Sequence, residues 1–393
     1  MKRVIASAIV TWLLALAVQV PLGSQTPAMP GGPLPGLTPR EFTEFRLGLD
    51  DFLEVETAED GLGPAYNGTS CAVCHSIPAI GGGGVMVEMR AAYEDGGRVH
   101  GLDDAGETLV HLFSVPSHGC QVVMPDDVTV VARRAPIPLF GAGLVEAIPD
   151  ETLLALEDPF DRNRDGISGR AARVTDAASG EGRVGRFGWK AQHATLLAFG
   201  ADAYRNEMGI TNALFPRELA FGVDEARMRL CDPLPDPEDT PDPATGRRGI
   251  DNFESFMRLL APVGRSRTDE TTREGERIFA AIGCAACHVP VLVTRPHGNP
   301  LFDRRPVALF SDLLLHDVGT GDGIPQAAAE PAEIRTPALW GLRFRRPLLH
   351  DGRATTVAEA IAQHRNEAEL ARSGFARLTV EERQRLLAFL LSL

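Results

Sequence analysis

Two five-residue segments with the pattern Cys-x-x-Cys-His constrain the fold of this chain more than any other feature. CAVCH occupies residues 71–75, and CAACH occupies residues 284–288. Thiols three positions apart share one helical turn, so both can add to the vinyl groups of one haem while the adjacent histidine reaches the iron. The attachment residues are Cys71, Cys74, Cys284 and Cys287, and the iron ligands are His75 and His288.

Zinc binding is the competing chemistry for a Cys-x-x-Cys pair. A structural zinc site needs four ligands, such as two cysteine pairs or one pair with two further histidines. It does not require a histidine directly after the second cysteine, yet both segments have one there. The sequence therefore predicts two covalently bound c-type haems.

The first residues have the pattern of an export signal. Lys2 and Arg3 precede a nearly uninterrupted apolar run from Val4 to Val20, which matches the basic and apolar regions of a signal peptide. We expect residues 1–24 to be removed and the mature protein to be periplasmic, with no stable membrane span. The alternative is an amino-terminal membrane anchor, because the run is near the short limit for a spanning helix.

Two cysteines lie outside the haem motifs, Cys120 and Cys231. An oxidising compartment allows a disulfide between them. Two buried free thiols are the alternative, because the sequence alone does not give the distance between their Cα atoms.

Apolar periodicity favours a mainly α-helical fold. Helical patterns occur at residues 253–260 and 272–282, and a capping box at Thr379 opens a final helix. A single hydrophobic core rarely grows past about 250 to 300 residues, so the 393 residues suggest two domains. We expect two cytochrome-c-like helical domains, residues 25–250 and 251–393, each around one haem, with long loops and little sheet.

Further segments carry a resemblance to a known family. They include RRAPIPLFGAGLVEAIPDETLLAL, GRFGWKAQ, NEMGIT, SDLLLHDVG, RTPALWGL and LLHDGRATTVAEAIAQH. Together with the haem motifs, they resemble the bacterial di-haem cytochrome c peroxidase superfamily, and more closely its di-haem oxidoreductase group. The resemblance runs from about Pro39 to Leu393.

The resemblance implies a second iron ligand for the carboxy-terminal haem. In these peroxidases the ligand lies fourteen positions after the His of an HDG motif, which here is His350, so His364 stands where the relatives usually have Met. A His288/His364 pair would hold iron at a lower potential than His/Met. The alternative is a surface histidine on an amphipathic helix. The match also places His316 and His350 near this haem in structural roles.

No second ligand is assigned to the amino-terminal haem. The residues after CAVCH that could supply one are Met86, Met89, His100, His111 and His118.

The resemblance also implies two functional residues between and above the haems. Glu207 in NEMG matches an acid over the open face of the first haem, and Trp189 in GRFGWKAQ matches a tryptophan that relays electrons. A solvated glutamate and a core tryptophan are the alternatives. The glutamine of the peroxidases, ten positions before the acid, is replaced by Leu197, and Gln192 is the nearest one. Helical spacing would place His193 on the same face as Trp189.

A short acidic segment resembles the start of a calcium loop. Asp161, Asn163 and Asp165 alternate before Gly166, but position twelve of the loop is Ala172 in place of the chelating acid. A calcium site and a plain Asx-rich turn both remain open.

These features favour peroxide reduction with electrons from a small donor protein of the cytochrome c or cupredoxin type. The alternatives are haem-dependent oxidation of an organic or protein substrate, and a non-enzymatic di-haem electron carrier. The formal net charge of −14 argues against nucleic-acid binding, which selects a basic surface.

Overall fold

The computed structural model describes residues 29–102, 106–219, 223, 225–231 and 240–393. Helix accounts for 32% and strand for 14% of the structure, which confirms a mostly helical composition. The predicted signal peptide, residues 1–24, lies outside the described residues. Within the described part of the chain, no helix is long and apolar enough to cross a membrane.

Eleven α-helices, α1 to α11 in chain order, are described. They are Pro39–Leu53, Cys71–Cys74, Ala142–Glu146, Asp150–Leu156, Leu196–Met208, Glu225–Cys231, Gly249–Leu259, Glu270–Ala281, Val357–Gln363, Glu369–Arg377 and Val380–Leu390. The predicted capping box at Thr379 is confirmed, because its side chain accepts from the Glu382 amide and the Glu382 carboxylate accepts from the Thr379 amide. A cap of this kind contributes about 0.5–2 kcal/mol.

Strands are short and pair only antiparallel. The twelve described strands, β1 to β12, are Ala65–Tyr66, Glu88–Asp95, Arg98–His100, Leu109–Val110, Phe113–Ser114, Val130–Arg134, Arg173–Thr175, Gly182–Val184, Leu292–Val293, Pro306–Val307, Leu315–His316 and Ile334–Arg335. β2 pairs with β3, β4 and β6 in one four-stranded sheet, and the other strands form two-stranded pairs. This sheet places β2 beside the first haem motif.

The larger hydrophobic core forms where α1, α5 and α7 pack together. The Phe52 and Phe256 rings lie 4.7 Å apart, and the Tyr204 and Phe253 rings lie 4.8 Å apart. At Gly48 of α1, a Cβ atom would come within 2.2 Å of the Asn252 carbonyl oxygen. Only glycine therefore permits this close approach of α1 to α7.

A second core gathers around α8 and α11. The Phe389 ring lies 5.4 Å from Phe279 and 5.6 Å from Phe310. Helix α7 spans the predicted boundary at residue 250 and packs in the first core. The first core therefore extends past that boundary, and the division into two cytochrome-c-like domains stays a prediction.

The two cysteines outside the haem motifs are joined. Cys120 and Cys231 form a disulfide with their Cα atoms 5.6 Å apart, within the range that a disulfide requires. The alternative of two free thiols is wrong for this structure. The bridge ties α6 to the loop after β5.

Candidate functional site

The first cavity surrounds the CAVCH motif and has a volume of about 170 Å³. The Ser70 hydroxyl caps α2, so Cys71 lies at a junction between loop and helix. Cys71 and Cys74 are free thiols, and both line the cavity together with His75. The two thiols and the imidazole thus face one space, as attachment of one haem requires.

The hydrogen bonding of His75 prepares its ring for metal binding. Its Nδ1 lies 2.8 Å from the Gly82 carbonyl oxygen. Because a carbonyl only accepts, Nδ1 carries the proton and Nε2 keeps the lone pair that binds iron. Burial lowers the pKa of His75, which favours the neutral ring that a metal needs.

The second cavity has a volume of about 380 Å³ and is lined by Cys284, Cys287, His288 and His364. Nδ1 of His288 lies 2.9 Å from the Phe310 carbonyl oxygen, and Nδ1 of His364 lies 2.7 Å from the Ala360 carbonyl oxygen. Both rings therefore keep a lone pair on Nε2. Burial lowers the pKa of His288 to about 4 and also lowers the pKa of His364. The second cavity thus offers two neutral imidazoles.

Trp189 lines both cavities and lies between them. Its indole Nε1 donates to the Ala135 carbonyl oxygen at 2.8 Å. The His350 ring lies edge-on at 6.1 Å, and the Arg345 guanidinium lies 5.7 Å from the indole ring. The indole plane is thereby held in one orientation between the two haem motifs.

Glu207 lies near the end of α5 and lines the first cavity. The loop before CAVCH packs on this helix end, where the Gly63 amide donates to the Met208 carbonyl and the Asn67 amide donates to the Glu207 carbonyl. These bonds satisfy carbonyls that a helix leaves open at its carboxy terminus. They also bring Asn67 to the Glu207 side chain, where its Nδ2 donates to Oε2 at 2.9 Å.

Burial raises the pKa of Glu207 well above its usual range, and the nearby Glu88 carboxylate raises it further. The protonated form of Glu207 is therefore favoured more strongly than that of a solvent-exposed glutamate. A carboxyl group in this state can donate a proton to a ligand in the first cavity.

Two polar residues near Trp189 differ from expectation. The helical spacing predicted for Trp189 and His193 is wrong, because residues 188–191 form a turn and His193 pairs with Phe187 as a β-bridge. Nε2 of His193 lies 2.9 Å from Asp202. Gln192, and not His193, lines the first cavity. The buried Oε1 of Gln192 accepts no hydrogen bond within the described residues.

Spacing along the sequence does not assign Gln192 to the cavity, because the pattern of the peroxidases has the glutamine ten positions before the acid, where this chain has Leu197. The turn at Trp189 carries the amide into the cavity instead. Gly188 makes this possible, because its φ is +79° and a Cβ atom there would lie 2.0 Å from Gln192 Oε1.

Only one of the five residues that could bind the first iron from its other side lines the cavity. That residue is Met86. The other four lie elsewhere, and the His111 ring is held by the Asn206 carbonyl oxygen at 2.8 Å from its Nε2.

The acidic segment 161–166 forms a closed turn. The Asp165 amide donates to Asn163 Oδ1 at 3.0 Å, the Gly166 amide donates to Asp161 Oδ1 at 3.2 Å, and Asn163 Nδ2 donates to Asp165 Oδ2 at 2.9 Å. Such contacts are typical of Asx turns. Calcium binding at Asp161, Asn163 and Asp165 stays a prediction.

The profile of a protein family described as "Di-haem oxidoreductase, putative peroxidase" matches residues 113–393. The chain belongs to this family. The resemblance drawn from the sequence motifs is confirmed. Membership in a di-haem family agrees with the two Cys-x-x-Cys-His segments and their cavities, although the matched region begins after CAVCH.

Among curated proteins, none matches this di-haem oxidoreductase. Several solved structures are similar at low identity. Hydrazine synthase of Kuenenia stuttgartiensis is 17% identical with a TM-score of 0.42, covering 99% of this chain and 100% of that chain. The diheme peroxidase BthA of Burkholderia thailandensis is 14% identical with a TM-score of 0.43, and the match covers 89% of this chain and 86% of that chain. A MauG-like protein associated with microbial copper homeostasis is 17% identical with a TM-score of 0.33, and the match covers 72% of this chain and 95% of that chain.

Two further histidines of this di-haem oxidoreductase, His316 and His350, line the second cavity. His316 is buried between carboxylates, with Nε2 2.8 Å from Asp312 and Nδ1 2.7 Å from Glu367. These bonds raise the pKa of His316 well above its usual range even though burial acts to lower it. Both ring nitrogens of His350 are buried and accept or donate no hydrogen bond within the described residues.

Replacing both Cys71 and Cys74 with Ser should halve the covalently bound haem, because a hydroxyl does not add to the vinyl groups as a thiol does. The measurement is the ratio of haem to protein in denatured samples, which keep only covalent haem. The matched control is the double Ser variant of Cys120 and Cys231, which should keep full haem content. A Cys71/Cys74 variant with unchanged haem content would contradict the attachment assignment.

Proposed function

We propose that this chain is a periplasmic enzyme that reduces hydrogen peroxide with electrons from a small soluble donor protein of the cytochrome c or cupredoxin type. The observation that carries the proposal is the difference between the two cavities. The second offers two neutral imidazoles, His288 and His364, whereas the first offers one, His75, together with Glu207, whose pKa is raised. An iron with two strong ligands suits electron transfer, and an iron with one leaves room for a substrate.

When bound in the first cavity by Cys71, Cys74 and His75, haem supplies the redox iron at which peroxide is reduced. The protein supplies the proton chemistry. Glu207 moves a proton between the two peroxide oxygens, so that the oxygen that leaves departs as water. Asn67 fixes the carboxyl group for this task through the 2.9 Å bond to Oε2.

Cys284, Cys287, His288 and His364 would hold the second haem, which would supply electron transfer, and Trp189 would relay electrons between the two cavities. Reduction of one peroxide to two waters consumes two electrons and two protons, and the donor protein supplies the electrons. The indole is the aromatic group that lines both cavities. Its hydrogen bond to Ala135 keeps it in place between them.

Electron paramagnetic resonance and optical spectra of the purified protein test this proposal. We expect one low-spin haem and one high-spin haem in the state that reacts, and the high-spin signal should change when peroxide is added. The physical reason is that His75 would be the single strong ligand of the first iron, since Glu207 is assigned as an acid and not as an iron ligand. Two low-spin haems in every redox state, with no response to peroxide, would instead indicate an electron carrier.

A further inference from the structure

Two carboxyl groups of the first cavity are hydrogen-bonded to each other. Glu88 lies at the start of β2 and Glu207 lies near the end of α5, and both line the cavity. Their side chains share a hydrogen bond. Two ionised carboxylates only accept, so at least one member of the pair carries a proton.

The contacts of each member decide where that proton lies. Arg90 donates twice to Glu88, from Nε to Oε1 at 2.7 Å and from Nη2 to Oε2 at 3.2 Å. A bidentate arginine favours the ionised form of its partner. Among the described residues, Glu207 is hydrogen-bonded to the neutral amide of Asn67 and to Glu88, and Arg90 acts on it through its charge, which lowers the pKa of Glu207 less than burial and Glu88 raise it. Arg90 therefore holds Glu88 ionised and leaves the proton to Glu207.

The titration behaviour of the pair agrees with these contacts. Burial acts to raise the pKa of Glu88, but Arg90 outweighs burial and the net pKa is lowered. Burial and the Glu88 charge both raise the pKa of Glu207. The other titratable and charged groups that act on the pair or respond to it are Arg134 on β6, Asp202 on α5, Cys74 on α2 and His75.

We propose that Glu88 keeps the proton on Glu207, so that Glu207 enters peroxide reduction as a proton donor. This inference rests on the proposed function and adds an order of events to it. Glu207 first gives its proton to the oxygen that leaves as water, and then regains a proton from the other oxygen of the peroxide. Glu88 is a positioning residue, because it acts through Glu207.

The proposal predicts the direction of the pH dependence. Peroxide reduction in the wild-type protein falls as pH rises through the raised pKa of Glu207, because the donor proton is then lost. In a Glu88→Gln variant the neighbouring negative charge is gone, so the same fall should occur about one to three pH units lower.

Infrared spectroscopy of the holoprotein follows the proton directly, through the C=O stretch of a protonated carboxyl group. We expect a band in the wild-type protein at pH 7 that disappears in Glu207→Gln. In Glu88→Gln this band should titrate away about one to three pH units lower than in wild type. Glu88→Asp, which keeps the charge, should retain the wild-type titration.

The exposed Glu94 on the same strand provides the matched control, since Glu94→Gln should change neither the band nor the pH profile. A Glu88→Gln variant with the wild-type titration would overturn the role of Glu88. If that variant does not fold, the wild-type protein still tests the proposal. The absence from its infrared spectrum of a carboxyl band that disappears in Glu207→Gln would also overturn the role of Glu88. Failure of the proposed function is distinguishable, because Glu207→Gln would then reduce peroxide at the wild-type rate whatever the infrared result.

Discussion

A Glu207→Gln variant is expected to reduce hydrogen peroxide about 100-fold more slowly than the wild-type protein, or slower still. The amide keeps the size of the side chain and can still bond to Asn67, but it has no proton to give to the departing oxygen. Both haem spectra should remain nearly unchanged, because Glu207 is not assigned as an iron ligand. Steady-state peroxide consumption with a chemical electron donor measures the effect.

The control for this variant is again Glu94→Gln, in which an exposed carboxylate far from the acid pair is neutralised. Its turnover should equal that of the wild-type protein. Unchanged peroxide turnover in Glu207→Gln, with full haem content, would remove Glu207 from the mechanism.

A His364→Ala variant is expected to convert the second haem from low spin to high spin. The variant removes the imidazole whose Nδ1 is held by the Ala360 carbonyl oxygen and whose Nε2 keeps its lone pair. His288 then remains as the single strong ligand of that iron. Electron paramagnetic resonance of the oxidised protein should lose one low-spin signal completely.

Free imidazole provides a sharper test of the same ligand. Added to His364→Ala, it should enter the space left by the side chain and restore the low-spin signal. The exposed His297 provides the control, because His297→Ala should keep the wild-type spectrum. A low-spin signal that persists in His364→Ala without imidazole would contradict the assignment.

The haem motifs could be predicted from the sequence because their chemistry is local. Two thiols and an imidazole within five residues act on one haem wherever the chain places them. The capping boxes and the helical patterns are local for the same reason, since each depends on contacts three or four residues apart. The helices at α7, α8 and α11 accordingly lie where their patterns predict them.

The surroundings of the acid could not be predicted in this way. Glu88 and Glu207 are brought together by β2 and α5, which are far apart in the chain, and Asn67 joins them through the loop before CAVCH. Gln192 reaches the cavity through a turn where helical spacing was expected. No periodicity in the sequence encodes these distances.

The sequence by itself predicted the haem attachment residues and determined the mostly helical composition and the family. The tertiary structure decided which residues face the first cavity beside His75, that Trp189 lines both cavities, and that Arg90 holds Glu88 ionised beside Glu207. The physical reason is the separation along the chain of the groups that interact. Covalent attachment and helix formation depend on neighbours in sequence, whereas the protonation of a buried carboxyl group depends on charges that only folding brings within a few ångströms.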